Sequence, residues 1–203
     1  MKYKWWYPYD FITTVRTGLS ADQIAHHLRR PNSPPRFLYG ALMLPTVLKY
    51  FLSIDQTVDI VPCMTPAILR GYRLYQFSET STPVLVPAQN DPSATVEGML
   101  VFGLNYEQRN SLYEIEAGLT QLAEVQVQVP LTERVGAHET HSMLVVDAGT
   151  FVWQGSREGL MQVADSMWSL DEFLTGPFYR QIMDSQQRQS LDDEYMDILR
   201  HTR

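Results

Sequence analysis

Arg36-Phe37-Leu38-Tyr39-Gly40-Ala41-Leu42-Met43-Leu44-Pro45 reads as a short aromatic strand, a glycine-led loop and the start of a helix. Gly40 ends the strand, and Pro45 suits a first helical turn because its missing N–H has no intrahelical partner there. Val47, Leu48, Phe51 and Leu52 then supply an apolar helical face.

Working toward the N-terminus, Pro31-Asn32-Ser33-Pro34-Pro35 cannot continue a helix and marks a junction. Before it, Ser20-Ala21-Asp22-Gln23 has the spacing of a capping box, with Ile24 and Leu28 as an apolar stripe. Residues 1–35 are therefore read as a helical, aromatic extension. Trp5 and Trp6 are expected to cover a barrel or a second subunit, which leaves a homodimer open.

Toward the C-terminus, Ala67–Phe77, Val84–Pro87 and Thr95–Leu104 are rich in β-branched and aromatic residues and are separated by turn formers. Asn105-Tyr106-Glu107-Gln108 opens a helix that should run to about Ile115 before Gly118 stops it, leaving Glu116 at its C-terminal edge. Ala123, Val125, Val127 and Val129 alternate with Glu124, Gln126 and Gln128, the period of a half-buried strand. A strand pair over Ser142–Trp153 is expected to turn at Asp147-Ala148-Gly149. Leu160, Val163, Ala164 and Met167 keep helical spacing, and Ser169-Leu170-Asp171-Glu172 reads as a further capping box. Residues 176–203 are read as an amphipathic tail with Leu191, Tyr195 and Leu199 on one side.

Composition narrows the function classes. A formal charge of −7 without a dense Lys/Arg stripe gives no footprint for nucleic acid. Charged residues or prolines interrupt every apolar segment before it could span a bilayer, and the N-terminal run lacks the form of a secretory signal. Neither nucleic acid nor membrane is expected as a partner. The single cysteine, Cys63, excludes an intrachain disulfide, so a cytoplasmic location is the default. His138-Glu139-Thr140-His141 is one residue short of helical zinc-site spacing and is read as a solvated loop, so no metal is expected.

The succession of pieces resembles the gamma-glutamyl cyclotransferase-like, or avirulence-induced-gene-like, family. Its Tyr-Gly-Ser/Thr-Leu loop corresponds to Tyr39-Gly40-Ala41-Leu42, and its Ala-x-Leu-x-Gly-Tyr strand to Ala67-Ile68-Leu69-Arg70-Gly71-Tyr72. A Pro-containing strand is matched by Pro83-Val84-Leu85, and a Val-x-Gly strand by Val96-Glu97-Gly98. A Leu-Asp-x-x-Glu-Gly turn corresponds to Leu112-Tyr113-Glu114-Ile115-Glu116-Ala117-Gly118. The likeness spans roughly residues 36 to 175. It implies an α+β fold, a small mixed β-barrel flanked by helices, and a cofactor-independent enzyme acting on a small molecule.

The resemblance also implies the site. Glu116 would be the catalytic proton shuttle, and the loop Tyr39, Gly40, Ala41, Leu42 and Met43 would bind substrate. Tyr72, Thr120, Phe151 and Trp153 are added as pocket lining. In the family the α-amine of a γ-glutamyl compound attacks the γ-carbonyl, closes 5-oxoproline and expels the amine partner. A carboxyl can relay that proton if burial beside Ile115, Ala117 and Leu119 raises its pKa. Read without the resemblance, Glu116 is a solvated helix-end carboxylate and Gly40 an ordinary tight turn. The family's Tyr-x-Arg after the glutamate falls on Thr120 and Leu122, and position 41 is Ala where Ser or Thr is usual. Two further readings therefore stay open: the same site repurposed for acid–base cyclisation, isomerisation or dehydration in tailoring metabolism, and a binding module without turnover.

Overall fold

The computed structural model describes residues 1–116, 118, 120–135 and 138–186, the side chains of 133–135 and 138–139 excepted. The elements in chain order are α1 (Tyr9–Thr17), α2 (Ala21–Leu28), β1 (Arg36–Leu38), α3 (Pro45–Phe51), β2 (Met64–Arg70), β3 (Tyr72–Phe77), β4 (Pro83–Pro87) and β5 (Thr95–Val101). They continue with α4 (Tyr106–Glu116), β6 (Thr120–Val135), β7 (His138–Trp153), β8 (Leu160–Gln162) and α5 (Leu170–Thr175). Five strands close a barrel in the order β1-β5-β2-β6-β7, and β4-β3-β8 form a second small sheet. The barrel is mixed, because β1 runs antiparallel to β5 but parallel to β7, where Arg36 pairs with Gly149.

Glycines carry the closest approaches. Gly71, at φ +76°, breaks the stretch read as one strand into β2 and β3 and passes the chain from barrel to second sheet. At Gly98 a Cβ would meet the Leu38 carbonyl oxygen at 2.5 Å and the Phe37 ring at 2.6 Å, so the strand beside β1 must be bare there.

The caps of α2 and α4 form as read. Ser20 accepts from the Gln23 amide while Gln23 Oε1 accepts from the Ser20 amide at 2.9 Å. The Asn105 side chain accepts from the Gln108 amide at 2.8 Å, and Gln108 returns the bond at 3.0 Å. β6 keeps its alternation, with Val125, Val127 and Val129 buried against the barrel interior.

Four readings are corrected. No turn occurs at Asp147-Ala148-Gly149: β7 runs unbroken to Trp153, paired throughout with β6. Gly149 is there for space, since a Cβ would sit 2.8 Å from Arg36 Nη1. Positions 138–141 belong to β7 rather than a loop, and the exposed His141 lies 3.3 Å from Thr132 Oγ1. Leu160–Val163 is not helical, because β8 pairs with β3 and the Val163 amide donates to the Leu74 carbonyl at 2.9 Å. Ser169 makes no side-chain cap; Asp171 instead accepts from Tyr7 Oη at 3.0 Å and from Lys4 Nζ.

One hydrophobic cluster includes Tyr7, Phe11, Leu19 and Ile24 together with the barrel residues Phe37, Leu69 and Val127. The N-terminal helices thus share the core of the barrel, whereas Trp5 is 85% exposed. Residues 177–186 are helical, and Leu191, Tyr195 and Leu199 lie outside the described residues. None of the helices among the described residues is long and apolar enough to cross a membrane.

Candidate active site

Directly after β1, Tyr39 keeps an extended backbone that leads into a tight 3-10 turn, Gly40–Met43. Gly40 adopts φ +65°, and a Cβ there would come within 2.5 Å of Pro83 Cγ on β4. Both the left-handed backbone and the proline's proximity require glycine. The opening amides of such a turn have no acceptor within it and are free to face a ligand. Pro45 then starts α3, with the Leu44 amide donating to the Ala41 carbonyl at 3.1 Å.

Tyr39 is fixed on both sides of its hydroxyl. It donates to the Phe151 carbonyl on β7 at 2.9 Å and accepts from the backbone at Leu85 on β4. Burial, and secondarily the charge of Glu116, pushes its pKa above the usual phenol range. This neutral phenol is a structural tie between loop and barrel.

Glu116 is the last residue of α4. Its carbonyl accepts from Thr120 Oγ1 at 2.8 Å, so the first side chain of β6 caps the helix end and sets the turn. Desolvation alone pushes its carboxyl up from 4.5 to about 7. Among the described residues no Lys, Arg or His is ion-paired with it. A carboxyl so placed exchanges a proton readily near neutral pH. Neighbouring Glu114 is exposed, and Ala117 and Leu119 lie outside the described residues.

A cavity of about 510 Å³ brings these pieces together. Tyr39, Ala41, Leu42, Glu116 and Thr120 line it, so the first-strand loop and the helix-end carboxyl share one hollow. Gly40 and Met43 are buried within the loop without lining it. Tyr72, Phe151 and Trp153 are not among the residues that line it. Tyr72 pairs with Pro87 across β3 and β4, Phe151 offers only its carbonyl to Tyr39, and Trp153 packs on Phe77 while donating to the Ser156 carbonyl.

Other walls were not read from the sequence. Thr80, Ser81 and Thr82 of the β3–β4 turn contribute hydroxyls, with Ser81 at φ +54°. Phe51, Trp168, Phe173 and Phe178 supply aromatic surface, and Glu172 adds a second carboxyl at an exposed position. The hydroxyls of Thr80, Ser81 and Thr82 carry no sequence signal beyond a polar turn, and Phe173 and Phe178 become walls only because α5 and the helical residues after it lie over the loop. Leu122, at the family's Arg position, lies outside this cavity. Among the described residues the lining holds no Lys or Arg, and no cluster of His, Cys, Asp and Glu is arranged to hold a metal.

A sequence profile described as Gamma-glutamyl cyclotransferase, AIG2-like, matches residues 36–170. No curated protein matches the sequence. Solved structures resemble it distantly. The solution structure of an Arabidopsis thaliana protein is 21% identical, covers 82% of this chain and 86% of that one, and has a TM-score of 0.46. A second A. thaliana solution structure is 14% identical over 84% and 93%, at 0.47. A yeast gamma-glutamyl cyclotransferase specific to glutathione is 15% identical over 60% and 69%, at 0.40.

Proposed function

The chain belongs to the gamma-glutamyl cyclotransferase, AIG2-like family, and on that premise we propose that it is a cofactor-independent enzyme that cyclises a γ-glutamyl compound, with Glu116 as the proton shuttle. The observation that carries this reading is the Glu116 carboxyl, held near neutrality in the same cavity as the loop after β1. The ionised carboxylate takes a proton from the substrate's α-ammonium. The freed amine attacks the γ-carbonyl carbon and forms the new C–N bond, and charge gathers on the carbonyl oxygen. Amides of Ala41 and Leu42, the residues of the Gly40–Met43 turn that line the cavity, are suited to that oxygen or to the substrate carboxylate. As the original C–N bond breaks, protonated Glu116 returns its proton to the departing nitrogen, and the second proton shed by the attacking nitrogen goes to the released amine, which leaves as an ammonium. The products are 5-oxoproline and a free amine, and no water is consumed.

The test is direct: purified protein is incubated with γ-glutamyl amines and γ-glutamyl dipeptides, and 5-oxoproline is quantified. Glu116→Gln should lower turnover by about 10²–10⁴. Undiminished turnover in that variant would remove Glu116 from the mechanism.

A second reading keeps the carboxyl but changes the substrate. The described lining offers no guanidinium or ammonium to a substrate carboxylate, and Thr120 and Leu122 replace the family's Tyr and Arg. That supports a repurposed acid–base site for cyclisation, isomerisation or dehydration of a less acidic molecule. Metabolite profiles that differ between wild type and Glu116→Gln, without 5-oxoproline, would favour it; profiles that do not differ would favour a binding module.

A further inference from the structure

A second cavity of about 460 Å³ shares none of its lining residues with the first. Its distinctive feature is Arg36, the first residue of β1. The residue is 9% exposed, yet among the described residues no carboxylate lies within ion-pair distance of it. Among them Nη1 finds acceptors, the carbonyls of Pro34 and Pro35 at a long 3.4 Å each, whereas Nε is buried without a partner there. The other charge acting on it is a second cation, Arg109, which together with burial holds its pKa below the usual arginine value.

A buried cation in this state is costly to a fold, because desolvation is not offset by an opposite charge. The chain nevertheless makes room for it. Gly149 on β7 is the residue paired with Arg36, and any side chain there would strike the guanidinium. The cavity wall beside it is apolar at Leu122, while Glu124 and Asp147 stand exposed among the lining residues, Asp147 accepting from Gln126 Nε2 at 3.0 Å. One cavity thus holds a buried guanidinium and two exposed carboxylates.

We propose that this cavity binds a zwitterionic α-amino acid, its carboxylate on Arg36, its ammonium toward Glu124 and Asp147, and an apolar side chain along Leu122. The planar carboxylate matches the two-nitrogen edge of the guanidinium. The rim carboxylates repel a polyanion, which argues against a nucleotide or phosphorylated ligand. The site is independent of Glu116 chemistry and stands whether or not the chain turns over γ-glutamyl compounds.

Titration calorimetry with L-leucine, 4-methylpentanoate, isoamylamine and inorganic phosphate tests it on the full chain. Leucine should bind saturably in the millimolar range or tighter, 4-methylpentanoate about tenfold more weakly, and isoamylamine and phosphate not measurably. Arg36→Gln should abolish leucine binding. Because a buried position can perturb folding, the exposed pair Glu124→Gln with Asp147→Asn provides a second test: it should bring leucine down to the affinity of 4-methylpentanoate. Absence of saturable leucine binding, equal binding of isoamylamine, tighter binding of phosphate, or insensitivity to the rim pair would each overturn the assignment.

Discussion

Glu116 is a residue whose position costs stability, and the cost depends on pH. Its folded pKa is raised from 4.5 to about 7. Below the lower value both the folded and unfolded forms are protonated and nothing is lost. Between the two values the unfolded chain gives up its proton first, so stability falls as pH rises and the loss is complete above about 7. Glu116→Gln should therefore be more stable than wild type at pH 8 by about 1–3 kcal/mol, allowing for partial exposure, and equal to it near pH 4.5. Denaturant melts at the two pH values check this. If the carboxyl is the base in turnover, kcat/KM should rise with pH along an acid limb centred near 7, and that limb should be absent from the residual activity of the Gln variant. Tyr39 is different in kind. Tyr39→Phe removes the donor to the Phe151 carbonyl and should cost about 1–2 kcal/mol, while leaving the position of the acid limb unchanged.

At the scale of elements, the site depends on how tightly the loop after β1 is pressed against β4. Gly40→Ala places a methyl into the Pro83 ring and forces an L-residue into left-handed backbone. A loss of about 2 kcal/mol or more is expected, with turnover falling further than stability because the loop amides move. Gly98→Ala should be at least as harmful, since it strikes the Leu38 carbonyl rather than a movable side-chain end. Equilibrium unfolding of the two variants checks both; an unchanged midpoint for either would mean that the neighbouring strand yields without cost. Capping chemistry made α2 and α4 legible in advance, because Ser20 with Gln23 and Asn105 with Gln108 satisfy their bonds within four residues. Ser169 makes no such bond, and the neighbouring Asp171 accepts from Lys4 and Tyr7, partners remote in sequence.

Across the whole molecule, the N-terminal helices and the barrel are bound by one core. Phe11 is fully buried on α1, and Thr46 on α3 donates to Asp10 Oδ2 at 2.6 Å. Phe11→Ala should cost about 3–5 kcal/mol, as a large aromatic removed from a packed interior does. Thermal melts would check it, and a cost under 1 kcal/mol would mean that α1 is only loosely docked. The same packing brings α5 and the helical residues 177–186 over the loop, with Gln186 Nε2 donating to the Thr46 carbonyl at 3.0 Å. That is why Glu172, Phe173 and Phe178 share a cavity with a carboxyl at the end of α4.

The amino-acid sequence by itself determined the features that local chemistry settles: where α2 and α4 begin, that Pro45 opens a helix, that β6 alternates, and that Glu116 closes α4 beside a glycine turn. The family pattern added the succession of strands. Tertiary structure alone decided which strands close the barrel, that Gly149 makes room for Arg36 instead of turning the chain, and which side chains wall the cavity. Desolvation of Glu116 and Arg36 also belongs to that level. A capping bond or a periodicity needs only near neighbours, whereas burial, closure and a shared hollow depend on surfaces brought together from distant parts of the chain.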